Sequence, residues 1–295
     1  MYYFDYVEPV FRPPSEARSL ILQITVGCSQ NQCVFCGMYK MKHFRVRPVN
    51  EIAVELRRIP EFQRHQIKRV FLADGDALVY PQEGLVRILD LINEACPQVT
   101  RIGVYASPKS LTTKSKLDLE TLKAKKLSML YFGLESGDPE TLMKTEKGFH
   151  PEQMLMLCQS AQSAGMKLSI TAILGLAGQE RSLEHALATA DWINHLSPVY
   201  FSLLTMFRRH NDRYFDLIQP LTNGLIIEEA LRVVEHLHPD KTILRSNHVS
   251  NILNLAGSYP KDREKLVIQA QTALERARQH PEWFSQVPDY GEDYY

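Results

Sequence analysis

Six short apolar segments, residues 20–26, 69–73, 101–106, 128–133, 167–174 and 199–206, recur between stretches of helical period, and this alternation narrows the available folds most. The segments are rich in Leu, Ile, Val, Tyr and Phe without strict alternation, the pattern of strands covered on both faces. Between them, residues 49–59, 81–95, 118–124, 139–144, 151–164 and 183–196 carry helical periodicity, and glycine or proline marks most of the joints. Strand and helix in turn call for a parallel sheet, and the even spacing favours closure or partial closure over an open sheet. The reading is an α/β fold: a partial (β/α)6 TIM-like barrel over residues 19–206, preceded by an N-terminal extension, residues 1–18. After residue 206 the pattern changes to a helical stretch at 227–237, a possible strand at 242–245 and a long polar helix at 260–279. Residues 207–287 are therefore read as a C-terminal helical extension packed on the barrel, and 288–295 as a loose acidic and aromatic tail.

The charges balance, 34 Lys and Arg against 34 Asp and Glu. A general nucleic-acid binder needs a basic excess to displace phosphate counterions, so nucleic acid is an unlikely partner. No stretch approaches the roughly 18 apolar residues of a membrane span, and the first fourteen residues lack the basic start and apolar run of a secretory signal. The cytoplasm is the default compartment, where the five cysteines should be reduced.

Three of those cysteines fall within nine positions, in Gly27-Cys28-Ser29-Gln30-Asn31-Gln32-Cys33-Val34-Phe35-Cys36-Gly37. The segment follows the first strand, where barrels of this kind place their sites. Three thiolates can hold three irons of a four-iron cube and leave the fourth open, whereas a structural cluster normally takes four. The rival is a structural zinc site with His43 as fourth ligand. Cys96 and Cys158 stand alone on helical patterns and suit packing.

Strand, then Cys28, Cys33 and Cys36 with Phe35 before the last cysteine, resembles the radical S-adenosylmethionine (SAM) superfamily, in the branch of oxygen-independent coproporphyrinogen oxidases and methylthiotransferases. Four residues separate the first two cysteines here, where three is the commonest spacing. The resemblance implies a [4Fe-4S] cluster on the three cysteines, SAM as second cofactor, and reductive cleavage of SAM to methionine and a 5′-deoxyadenosyl radical that takes a hydrogen from substrate. It also implies an electron donor such as flavodoxin or ferredoxin.

The resemblance extends to later strand ends. Asp74, Gly75 and Asp76 match the acidic, glycine-containing motif that receives the methionine amino group; an ordinary turn is the plainer reading. Glu135 and Ser136, in Gly133-Leu134-Glu135-Ser136, match a segment near the sugar and methionine ends of SAM. Solvent exposure for Glu135 and a helix cap for Ser136 are the alternatives. Ile173 and Gly175 match a segment contacting adenine, with Leu203 on the sixth strand as a further adenine contact or a core residue.

Residues outside these motifs are candidates for facing a substrate, expected to be a small molecule. Tyr39 belongs to a basic stretch with Lys40 and Lys42 that suits an anionic partner or a solvated surface. Tyr105 and Lys109 flank the end of the third strand, and Arg245, Asn247 and His248 sit in a dense polar run after residue 244. Two other functions stay open at this stage: a non-catalytic, zinc-stabilised interaction module, and RNA modification by a radical SAM enzyme.

Overall fold

In the computed structural model, which describes residues 4–208 and 211–289, five of the six apolar segments each contribute one strand and the first contributes two. The chain divides into two compact units, the first comprising residues up to Asn31, Met38–Phe132 and Leu157–Leu168, the second Gln32–Gly37, Gly133–Met156 and residues from Ser169 onward. The units interleave along the chain.

In the first unit, β1 (Leu20–Gln23) pairs in parallel with β4 (Arg69–Ala73), β4 with β5 (Arg101–Ala106), and β5 with β6 (Leu127–Glu135), whose last three residues belong to the second unit. Leu22, Val70, Leu72, Ile102, Val104 and Leu130 are fully buried, as a strand covered on both faces requires. Helices α1 (Val49–Arg58), α2 (Glu61–Arg64), α3 (Gln82–Ala95), α4 (Pro108–Thr112) and α5 (Lys116–Ala124) lie in this unit. Helix α3 shows why such segments turn inward: Leu85, Ile88, Leu89 and Ile92, at i, i+3, i+4 and i+7, are its buried residues.

The expected single strand at 20–26 breaks. After Gln23 the chain leaves β1, and β2 (Thr25–Val26) pairs antiparallel with β3 (Arg45–Val46). Arg47 makes the break tolerable, because its buried guanidinium donates to the Gln23 carbonyl at 2.7 Å and to both oxygens of Glu55.

In the second unit, helices α6 (Pro139–Lys144), α8 (Ser182–Leu196), α9 (Asp212–Phe215), α10 (Asn223–His236), α11 (Arg263–Gln279) and α12 (Pro281–Phe284) accompany the strands, and α7 (Pro151–Ser163) begins there. Strand β7 (Lys167–Leu174) pairs in parallel with β8 (Tyr200–Thr205), and β8 in parallel with β9 (Ile243–Ser246). Strand β10 (Leu255–Ser258) then returns antiparallel to β9. The C-terminal extension is thus not only helical: it adds two strands. Leu255-Ala-Gly-Ser lacks β-branched residues and gives a weak strand signal. Positions 290–295 of the expected tail lie outside the described residues. Cys96 and Cys158 are both fully buried.

Candidate functional site

The ends of β2 and β4 bring the first group of candidates together. Asp74 follows β4 directly and is fully buried. Its Oδ2 accepts from Lys42 Nζ at 2.8 Å, Gln23 Nε2 at 2.8 Å and the Gly27 amide at 3.0 Å. Its Oδ1 is buried with no hydrogen-bond partner among the described residues. Lys42 is therefore not a solvated residue: it is buried, and it also donates to the carbonyls of Val7 and Pro9 at 2.6 Å each. Gln23 exchanges hydrogen bonds with both backbone groups of Val7. Together these bonds strap the N-terminal segment to Asp74.

Gly75 has no room for a side chain, since a Cβ there would stand 2.5 Å from the Tyr39 ring and 3.0 Å from Cys28 Cβ. Tyr39 is buried in this packing, with its ring edge-on to Phe11. Asp76 is also buried, and it accepts from the hydroxyls of Ser29 and Ser107 and from the Ser107 amide. Burial pushes its carboxyl above the usual range, partly offset by these donors. Asp76 thereby ties the residue after Cys28 to Ser107, the N-cap of α4. The longer gap after Cys28 is held by Asn31, which donates to the Tyr39 carbonyl at 2.6 Å, and by Lys40 and Lys109, which donate to the carbonyls of Asn31 and Ser29. Tyr105 packs edge-on to Phe71 and Tyr131.

The second unit holds Cys33 and Cys36. Cys33 and Phe35 are buried with Leu176, Met206, Tyr214, Phe215 and Ile218, and Val34, Cys36 and Ile173 pack against them. Tyr214 donates its hydroxyl to the Leu176 carbonyl at 2.9 Å and meets the Phe35 ring edge-on. Glu135, the last residue of β6, adopts a left-handed backbone with φ of 67°, unusual for a side chain of this size. Its carboxylate folds back over Gly133, where a Cβ would lie 1.9 Å from Oε1. Lys147 Nζ donates to the same oxygen at 3.1 Å. Burial works to discharge Lys147, but Glu135 and then Cys33 and Cys36 outweigh it and hold the ammonium above the ordinary lysine range.

Gly175, with φ of 81°, donates its amide to Glu229 Oε1 at 2.7 Å, and Ser182 donates to Oε2 at 2.6 Å. His185 links this carboxylate, 3.8 Å from its Nε2, to Ser136, whose hydroxyl lies 2.7 Å from Nδ1. Ser136 is fully buried and also accepts from the Asp138 amide; Asp138, not Ser136, is the N-cap of α6. The Leu203 carbonyl accepts from Asn251, and Thr205 bonds to Ser250 and Asn251, so the polar run is anchored at the end of β8. Within it, Arg245 and Asn247 are exposed, while His248 is half-buried and bonded to Ser250.

Lys147, His185, Glu229 and Tyr214 escaped the sequence reading. Lys147 precedes a glycine between two helices, which reads as an ordinary helix end. Tyr214 alone carried a signal, as the first of two adjacent aromatics, Tyr214-Phe215, after the polar run at 208–213.

A family model described as the radical SAM superfamily matches residues 22–193, more than half of the 295-residue chain. The chain belongs to the radical SAM superfamily. Its relatives include the heme chaperone HemW of Bacillus subtilis, 22% identical over 206 residues, 66% of this chain and 52% of the relative. The chain thus spans about half the length of that relative. Among solved structures, coproporphyrinogen III oxidase (HemN) of Escherichia coli aligns with a TM-score of 0.54 and 17% identity over 74% of this chain and 50% of that one. Methylornithine synthase (PylB) aligns with a TM-score of 0.55 and 13% identity over 94% and 76%. At such identities these structures establish the shared α/β fold, while the family match makes the chain an enzyme of the radical SAM class, whose members bind a [4Fe-4S] cluster and SAM.

The donor set suits such a cluster. Thiolates are the usual ligands of iron-sulfur clusters, one to each iron, and Asp74 Oδ1 is a buried acceptor without a partner among the described residues, next in sequence to the glycine that packs on Cys28. The zinc alternative finds no support in the family match, and His43, its fourth ligand, is exposed. No helix among the described residues is long and apolar enough to cross a membrane.

Proposed function

We propose that Cys28, Cys33 and Cys36, on one loop, hold a [4Fe-4S] cluster, and that the enzyme uses it to cleave SAM reductively and abstract hydrogen from a small-molecule substrate. The carrying observation is Asp74, a fully buried carboxylate with one oxygen held by three donors and the other without a partner among the described residues, next to a glycine that packs on Cys28. A buried acceptor left unsatisfied costs free energy unless something fills it, and the amino group of a methionine moiety is a fitting donor.

Held by the three cysteines, the cluster would supply the single electron that reductive cleavage of SAM requires. The chain's own residues do the rest. Asp74 and Gly75 seat the amino group, with Lys42, Gln23 and the Gly27 amide fixing the carboxylate. Asp76 acts at one remove, tying Ser29 and hence the Cys28 loop in place. Glu135, already turned into an unusual conformation at a strand end, would hold the sugar and methionine ends. Ile173, Gly175 and Leu203 offer the apolar face and close backbone that adenine requires, and Ser136 steadies that region through His185 and Glu229. Phe35 packs the loop between Cys33 and Cys36. Flavodoxin or ferredoxin is the class of donor suited to reducing the cluster.

Anaerobically reconstituted protein is expected to be brown, to hold iron and sulfide in equal amounts, and to convert SAM to 5′-deoxyadenosine with dithionite. His43→Ala should leave iron content unchanged. Colourless protein carrying zinc, released by the same substitution, would overturn the reading.

A further inference from the structure

Lys147 is a buried cation with a defined anionic neighbour, carried on a turn that is bonded to the cysteine loop. Its side chain is 8% exposed, and its ammonium lies 3.1 Å from Glu135 Oε1. The turn that carries it is fastened to the cysteine loop: the Val34 amide donates to the Thr145 carbonyl at 3.0 Å, and a Cβ on Gly148 would stand 3.6 Å from Gln32 Nε2. Cys33 and Cys36 act electrostatically on the ammonium. One cation thus pairs with one carboxylate on a turn bonded to the Cys33–Cys36 loop, inside a single unit, and none of the superfamily motifs quoted above contains it.

We infer that Lys147 is a positioning residue that sets the reduction potential of the iron-sulfur cluster by placing a fixed positive charge beside Cys33 and Cys36, with Glu135 moderating that charge. The inference rests on the cluster reading above. Reduction adds one electron, and so one negative charge, to a site where water screening is weak; a nearby cation favours the reduced form and a nearby anion opposes it. Lys147 and Glu135 therefore pull the potential in opposite directions, a sign relation that a purely structural role does not produce.

The test is a dye-mediated redox titration of reconstituted protein, followed by electron paramagnetic resonance without SAM, so that SAM binding by Glu135 does not enter. Lys147→Met should shift the reduced-to-oxidised ratio at fixed potential at least tenfold toward oxidised, about 59 mV downward for one electron. Lys147→Arg, which keeps the charge, should stay near wild type, and Glu135→Gln should move the potential upward. If Lys147→Met fails to hold iron, the Glu135→Gln and Lys147→Arg proteins decide. A Glu135→Gln potential at or below wild type overturns the inference, as does a Lys147→Met potential equal to wild type or a Lys147→Arg protein that loses the cluster. A wild-type protein that holds no cluster would instead remove the proposed function itself.

Discussion

Removing the ammonium of Lys42 is expected to be among the costliest single changes in the first unit. The Lys42–Asp74 pair is 2.8 Å apart with side-chain exposures of 2% and 0%. Taking away one partner of a buried pair leaves the other charged and desolvated, and costs about 3–5 kcal/mol. Lys42→Met keeps the length of the stem, so the loss is electrostatic rather than steric; Gln23 and the Gly27 amide remain on Asp74 but cannot supply a charge. The Arg58–Asp5 pair is a matched control, since its 2.7 Å separation is similar but its side chains are 51% and 80% exposed. Arg58→Ala should have no measurable effect, because water already screens that pair. The assay is urea unfolding of the metal-free protein under reducing conditions, followed by circular dichroism. In a double-mutant cycle, Lys42→Met with Asp74→Asn should recover about 2 kcal/mol relative to the summed single losses. A Lys42→Met protein within about 0.5 kcal/mol of wild type, the range of an ordinary surface change, would refute the reasoning.

Two further predictions concern the same strand ends. Burial alone would raise the Asp138 carboxyl, but Arg181 and Thr141 outweigh it and depress the pKa to about 2 from 3.8. The contribution is present above the unfolded value and lost as pH falls through about 4 toward 2, so Asp138→Asn should cost up to about 2 kcal/mol at pH 7, discounted for screening at Arg181. The gap from wild type should close in acid denaturation by pH 2, and a gap unchanged at that pH would contradict the assignment. Gly75→Ala forces a methyl group to within 2.5 Å of the Tyr39 ring. It should cost about 1–3 kcal/mol and lower the iron content after reconstitution, whereas full iron content with wild-type stability would show that the packing on Cys28 is unimportant.

The strands and most helices were legible because burial on both faces writes itself as continuous apolar runs, and α6 and the starts of β4, β5 and β7 fall at the expected residues. The break at Ile24 was not legible, because it depends on Arg47 reaching back to a carbonyl more than twenty residues away. Nor was β10, whose pairing with β9 compensates for a weak local preference. At the candidate site, the placement of Cys28, Asp74 and Glu135 at strand ends could be read from chain position. Lys42 and Lys147 could not: a lysine in sequence signals solvent, and only the buried carboxylate of Asp74 and the half-buried one of Glu135 make these two charges tolerable inside.

The central claim is that SAM binds directly at a cluster held by Cys28, Cys33 and Cys36. It is tested most directly by electron paramagnetic resonance of the dithionite-reduced protein before and after SAM is added. The account predicts a reduced [4Fe-4S] signal whose g values shift on adding SAM, and no such signal when the three cysteines are replaced by alanine. A cluster signal that SAM leaves unchanged, or one that survives the triple replacement, would contradict it.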